Sequence, residues 1–124
     1  MREYEFRGKR VDNGEWVYGG ISFQHNKAFI YTDDLPYDNT VEIDPATVGQ
    51  YIGRKDKNNK KVWEGDLVRC RDSYEPLTFQ GKVSFDNASF FVKTDTGGHY
   101  RWMDYEVEVI GNIFDNIEPL EVTP

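Results

Sequence analysis

Residues that could carry acid–base chemistry are few in this chain, and Glu64 with Asp66 is the closest pair. A general acid and base need two titratable groups held together with separated pKa values. Glu64 and Asp66 flank Gly65, and side chains two residues apart in such a turn project differently and accept hydrogen bonds from nearby backbone N–H groups. We therefore interpret them as parts of a turn that begins a strand at Leu67, and we predict no catalytic residue.

The nitrogen and sulfur side chains offer little for metal binding or nucleophilic catalysis. The chain holds two histidines, His25 and His99, and one cysteine, Cys70, and none of them forms a close-spaced ligand motif with another. Cys70 alternates with Val68 in a predicted strand, a position typical of a buried thiol. We expect no metal, no cofactor and no enzymatic activity.

A basic run in the middle of the chain is the one candidate binding site. It contains five bases and one acid between two aromatic residues: Arg54, Lys55, Lys57, Lys60 and Lys61, with Asp56, between Tyr51 and Trp63. Aromatic rings next to cationic side chains can stack on the bases of single-stranded nucleic acid, and small β-barrels bind in this way. A solvated hairpin tip is the alternative interpretation of the same residues.

The overall charge opposes a nucleic-acid partner. The net charge is −7, with 22 acidic and 15 basic residues, which disfavours phosphate backbones and anionic lipid. The signs are also segregated: residues 28–53 hold five carboxylates and no base, and the chain after Arg101 holds six carboxylates and no base. Such blocks can direct an acidic patch to a basic one, so the expected partner is another protein or a second copy of the chain.

The elements that would position these residues are short strands. Aromatic residues make up 15% of the 124 residues, and large aromatic side chains favour sheets. Turn signals such as Asn13-Gly14 separate alternating segments, among which 79–85 with 89–94 is the clearest hairpin. Asp44-Pro45 predicts a single capped helical turn. The pattern predicts a mainly β protein, a small barrel-like or sandwich fold of short antiparallel strands with little helix.

The cellular setting follows from what is absent in the sequence. The single cysteine excludes an internal disulfide, no charged and then apolar leader is visible, and no apolar run approaches the roughly 20 residues that cross a bilayer. We expect a cytoplasmic protein that does not bind or span a membrane.

Two blocks of sequence resemble a known family. They are VGQYIGRKDKNNK at 48–60, running into WEGDLV at 63–68, and YEVEVIGNIFDN at 105–116, preceded by an N-terminal segment FRGK at 6–9. In this order and spacing they resemble the YopX family of bacteriophage and prophage proteins. The resemblance implies a mainly β, phage-encoded protein of a bacterial host cell, from a family without an established biochemical activity, and it supplies no catalytic residues.

The resemblance also bears on the domain organisation. It implies one YopX-like domain over residues 1–118, divisible into lobes 1–45 and 46–118, followed by an irregular tail at 119–124. Asn59 stands where the family loop is expected to have glycine, and because Asn tolerates positive φ better than most residues, we expect the turn to be kept.

Overall fold

The computed structural model describes residues 5–31, 40–71, 78–86, 89–100, 102 and 105–115. Residues 32–39 and 72–76, whose composition is typical of loops, and the predicted tail at 119–124 lie outside these ranges. Strand accounts for 68% of the structure and helix for 4%. The chain divides into two compact units, residues 1–53 and 54–124, which are described separately below.

The first unit is an antiparallel sheet built from consecutive hairpins. Its strands are β1 (Phe6–Lys9), β2 (Trp16–Gln24), β3 (Lys27–Tyr31), β4 (Val41–Ile43) and β5 (Gly49–Lys55). They lie in the order β4-β3-β2-β1-β5, and β5, whose last two residues belong to the second unit, is hydrogen-bonded to β6 (Lys61–Trp63). Ala28, Ile30 and Ile43 form its fully buried core.

The turns of the first unit form where the sequence predicts them. Asn13 Oδ1 accepts a hydrogen bond of 2.9 Å from the backbone N–H of Glu15, and Gly14 adopts φ +74°. His25 and Asn26 both have positive φ, as a two-residue hairpin turn that matches the strand twist requires. Asp44 Oδ1 accepts from the Ala46 N–H at 3.0 Å and caps a single 3-10 turn at Pro45–Thr47. The predicted hairpins and the capped helical turn are thereby confirmed.

The second unit contains a five-stranded antiparallel sheet. Its strands are β7 (Asp66–Arg71), β8 (Thr78–Asp86), β9 (Ser89–Thr94), β10 (Gly97–His99) and β11 (Glu106–Asn112). They lie in the order β10-β9-β8-β7-β11. Three of these pairings are local hairpins or short connections, whereas β11 returns from the end of the described chain to pair with β7, with Val107 opposite Cys70.

Alternation along these strands gives the second sheet one buried face. Val68, Cys70, Val83, Val92 and Val107 are all at most 1% exposed. The register sets Val107 opposite Cys70 and Val83 opposite Val92, and it places all five on one face. Because successive residues of a strand point to opposite sides, the residues between them form the other face, which is mostly polar and partly or fully exposed to solvent.

The architecture confirms the predicted fold class. It is mainly β, with two antiparallel sheets of short strands and no closed barrel among the described residues. No helix in the described part of the chain is long and apolar enough to cross a membrane.

Candidate interaction surface

The basic run is the turn between β5 and β6, and a buried aspartate organises it. Asp56 is 7% exposed. Its Oδ1 accepts hydrogen bonds from the backbone N–H groups of Asn58 at 2.8 Å and Lys60 at 2.9 Å, while Asn59 turns the chain at φ +68°. The expectation that Asn replaces Gly at this positive-φ position without loss of the turn is confirmed.

The same turn covers the free edge of β11. Asp56 Oδ2 accepts from the Val109 N–H at 2.9 Å, the Lys57 N–H donates to the Val107 carbonyl at 2.9 Å, and Arg54 donates to the Tyr105 carbonyl at 2.9 Å. These three contacts use backbone groups on the side of β11 that faces away from β7. An uncovered edge strand offers such groups to other chains, so residues 54–57 act as an edge cover.

This arrangement determines the electrostatics of Asp56. Burial alone would raise the pKa of its carboxyl, but the hydrogen bonds from the Val109, Lys60 and Asn58 N–H groups and the charge of Lys60 outweigh burial and lower that pKa. A carboxylate that accepts several backbone N–H bonds is stabilised in its charged form. Asp56 is therefore ionised in the folded protein and holds the turn together.

The other residues of the predicted binding site differ in their exposure to solvent. Lys55 and Lys60 are exposed, Arg54 and Lys61 are half-buried, and Lys57 is turned toward β11. The rings of Tyr51, in the first unit, and Trp63, in the second, are each 6% exposed. Stacking on a nucleic-acid base needs an exposed ring face, so the predicted role of this run in binding stays a prediction, carried by its exposed lysines.

The remaining candidates for catalysis or metal binding lie in turns or pack against neighbouring side chains. Asp66 is 2% exposed, and its Oδ2 accepts a hydrogen bond from the Trp63 N–H at 2.8 Å. Gly65 adopts φ +96°. These features confirm the interpretation of this segment as a turn that begins a strand. His25 lies in the β2–β3 turn, and His99 stacks on Phe79 with ring centroids 3.9 Å apart. Within the described residues no group of three His, Cys, Asp or Glu side chains could hold a metal ion.

Cys70 is the buried thiol that the sequence predicts. It is fully buried on β7. Burial raises the pKa of its thiol to about 12, and the positive charge of Arg54 offsets only part of this. Since the thiolate is the reactive form, the folded protein holds Cys70 in an unreactive state at neutral pH.

We expect Cys70 to resist thiol reagents until the protein unfolds. Labelling with a disulfide reagent, followed by mass spectrometry, should be slow in native buffer and complete within the mixing time in denaturant. A peptide that contains residues 66–71 gives the reference rate for the exposed thiol. Native labelling within about tenfold of that reference rate would contradict the buried, protonated state.

The strand register brings several charged side chains together on the polar side of the second sheet, and we call this side the open face. Its charged members on β7, β8, β9 and β11 are Arg69, Arg71, Lys82, Lys93, Glu106, Glu108 and Asp86. The register sets Glu106 opposite Arg71 and Glu108 opposite Arg69, at one border. It sets Lys82 directly opposite Lys93 in the middle of the sheet.

A groove of about 360 Å³ lies along the β11 border of the open face. Lys57 Nζ lies 3.9 Å from Glu106 and 3.8 Å from Glu108, and Arg69 lies 3.3 Å from the same Glu108 carboxylate. These side chains are 31% to 46% exposed, so the pairs are screened by solvent and each contributes about 0 to 1 kcal/mol. The groove is thus lined by charges that a partner could reach.

The cations of the open face outnumber the acids that could neutralise them. Within the described part of the chain, Arg71, Lys82 and Lys93 have no hydrogen bond or ion pair from their side chains. Like charges directly opposite on neighbouring strands are destabilising, and Lys82 and Lys93 are in that position. A stack of Phe91 and Tyr100, with centroids 4.7 Å apart, lies at the far end of the same face.

The open face is the feature that sequence reasoning missed. Arg69 and Arg71 alternate with Val68 and Cys70, so the pattern did place them on one side of a strand. Their neighbourhood depends on the pairing of β7 with β11, about 40 residues away, and no local signal predicts that pairing. The alternation of Glu106 and Glu108 with Val107 and Val109 was the one available hint.

Comparison with known proteins adds a family. The family model described as YopX protein matches residues 5–121, which is nearly the whole chain. A search of curated proteins finds no match.

Proposed function

We propose that this chain, which belongs to the YopX family, is a phage-encoded accessory protein that works in the cytoplasm of the host cell by binding protein, without catalysing a reaction. Its partner is a host or phage protein or a second copy of the chain. The observation that carries the proposal is the open face, a charged sheet surface on which Arg71 and Lys93 are exposed and unpaired within the described residues, on a chain of net charge −7.

Several features of the site support binding over catalysis. The carboxylate Asp66 is engaged by a backbone N–H group within its own turn, Asp56 holds the β11 edge, and Cys70 is buried and protonated. The charged groups that do reach solvent are spread along a sheet, an arrangement that complements another charged surface and sets partner orientation and association rate. The groove has a mixed-charge lining, with few apolar groups to enclose a small molecule.

The test is the mass of the protein in solution, measured by light scattering over a range of concentrations at low and high salt. If the open face binds a second copy, the protein should form an oligomer that dissociates at high salt. If it binds another protein, a monomer should capture one host or phage protein saturably. Charge reversal on the open face should abolish that capture. A monomer at every concentration that captures nothing saturably from lysate of infected cells would contradict the proposal.

A further inference from the structure

We infer that the open face is an acceptor for the acidic stretch of a second copy of this chain. The inference rests on the proposed function and specifies its partner. The anchors on the acceptor are Arg71 and Lys93, supported by Arg69 and Lys82, and the donor is the stretch between Lys27 and Arg54, which holds five carboxylates and no base. The contact is heterologous, because the two copies contribute different surfaces.

The fold leaves positive charge on the open face unneutralised. With Lys57 included, the open face has five bases against three acids, Glu106, Glu108 and Asp86. Glu108 is shared by Lys57 and Arg69, whereas Arg71 has no ion pair within the described residues although Glu106 is its cross-strand neighbour. An exposed guanidinium presents a planar fork of donors that suits a carboxylate.

An unfavourable pair of like charges lies at the centre of the open face. Lys82 and Lys93 are direct cross-strand partners, and their repulsion is relieved when carboxylates lie between them. Lys93 and Arg71 are both exposed, so an incoming chain can reach them without any change in the sheet.

The acidic stretch of a second copy is suited to be the donor. The net charge of this chain is −7, so a second copy supplies carboxylates at the same concentration as the acceptor. The stretch 28–53 contains Asp33, Asp34 and Asp38 within six residues, and no base within it would repel the cations of the face. Complementary potentials of this kind steer association and fix its register.

Nucleic acid fits the same face less well. Glu106 and Glu108 border the groove, and the net charge of −7 repels a long polyanion. A short acidic segment of polypeptide reduces both effects, because it carries few charges and can contact Arg71 and Lys93 without following the whole groove.

The experiment separates donor from acceptor by charge reversal. The acceptor variant is Arg71→Glu with Lys93→Glu, and the donor variant is Asp33→Lys with Asp34→Lys. The control for the acceptor variant is Lys27→Glu with Val11→Glu and Phe23→Glu, three exposed residues outside the open face and the basic run, which together lower the net charge by the same amount. Near-ultraviolet circular dichroism checks that each variant keeps its tertiary structure.

The expected result is complementation. Wild type and control should associate at about 0.01 M salt, with the apparent dissociation constant raised at least about tenfold at about 1 M salt. Each of the two charge-reversal variants alone should be monomeric by light scattering, and their equimolar mixture should form a heterodimer, because each variant keeps the surface that the other has lost.

Three results would overturn the inference. Oligomers that survive both variants would show self-assembly through another surface, and the proposed function would stand without this acceptor. A wild type that is monomeric at low salt but captures a host protein through Arg71 and Lys93 would keep the proposed function with a different partner. Binding of a fluorescent single-stranded oligonucleotide that Arg71→Glu abolishes, with no self-association, would assign the face to nucleic acid and contradict both proposals.

Discussion

Replacing Asp56 with alanine is expected to lower the free energy of unfolding by about 3 to 5 kcal/mol, because three backbone N–H groups lose a charged acceptor at once. Two of these groups hold the β5–β6 turn and the third belongs to Val109 on the edge of β11. The measurement is chemical denaturation followed by tryptophan fluorescence. Lys57→Ala is the control, since it removes two solvent-screened ion pairs but keeps the backbone bond to Val107, and it should cost less than about 1 kcal/mol.

The contribution of Asp56 to the free energy of unfolding is expected to depend on pH. The pKa of the Asp56 carboxyl is lowered in the folded protein, so its contribution is complete above the ordinary aspartate value of 3.8 and is lost as the pH falls through the lower folded value. The difference in stability between wild type and Asp56→Ala should therefore be constant near neutral pH and shrink below about pH 4. A difference that stays the same down to pH 2 would contradict the role of the charge, as would an equal loss in Lys57→Ala.

Replacing Trp102 with alanine is expected to cost about 3 to 5 kcal/mol, because it empties the largest fully buried position of the structure. Trp102 is 1% exposed, and its Nε1 donates to the Phe90 carbonyl at 3.1 Å. Trp102→Phe should restore most of the packing but leave that carbonyl without its donor, for an intermediate loss. Urea denaturation of all three proteins measures the difference.

A comparison with an exposed aromatic residue nearby makes this prediction specific. Tyr100 is 47% exposed and stacks on Phe91, so Tyr100→Ala removes one ring contact and should cost about 1 kcal/mol. If Trp102→Ala were no more destabilising than Tyr100→Ala, Trp102 would not be a core residue of the second unit.

Local chemistry made much of the fold predictable. Asn13-Gly14, Asp44-Pro45 and Glu64-Gly65-Asp66 each specify a turn or cap through groups within three residues, and the structure has them where the sequence predicts. The turn after β9 shows the limit of this approach. Thr96-Gly97-Gly98 has the composition of a turn, whereas both glycines belong to β10, which spans Gly97–His99. Thr94 Oγ1 bonds to the Thr96 N–H and to the Gly97 carbonyl, and so closes the turn earlier.

The candidate site was less predictable than the fold, for a physical reason. The basic run was visible as composition, but its main structural task belongs to Asp56, the one acid in it, and depends on a partner 53 residues away. Similarly, Arg71 and Lys93 belong to one surface only because β7, β8 and β9 pair side by side. Contacts between distant segments leave no periodic signal in a single sequence, so neither arrangement could be derived from it.

The cover on β11 also has a consequence for the order in which the second unit forms. The β5–β6 turn is synthesised first, and β8 with β9 can close as a local hairpin, whereas β11 must join β7 and Asp56 across a long stretch of chain. Closing a long loop costs more entropy and is slower than closing a short one. We expect β11 to dock last, so that a nascent chain keeps one side of β7 unpaired until β11 has left the ribosome.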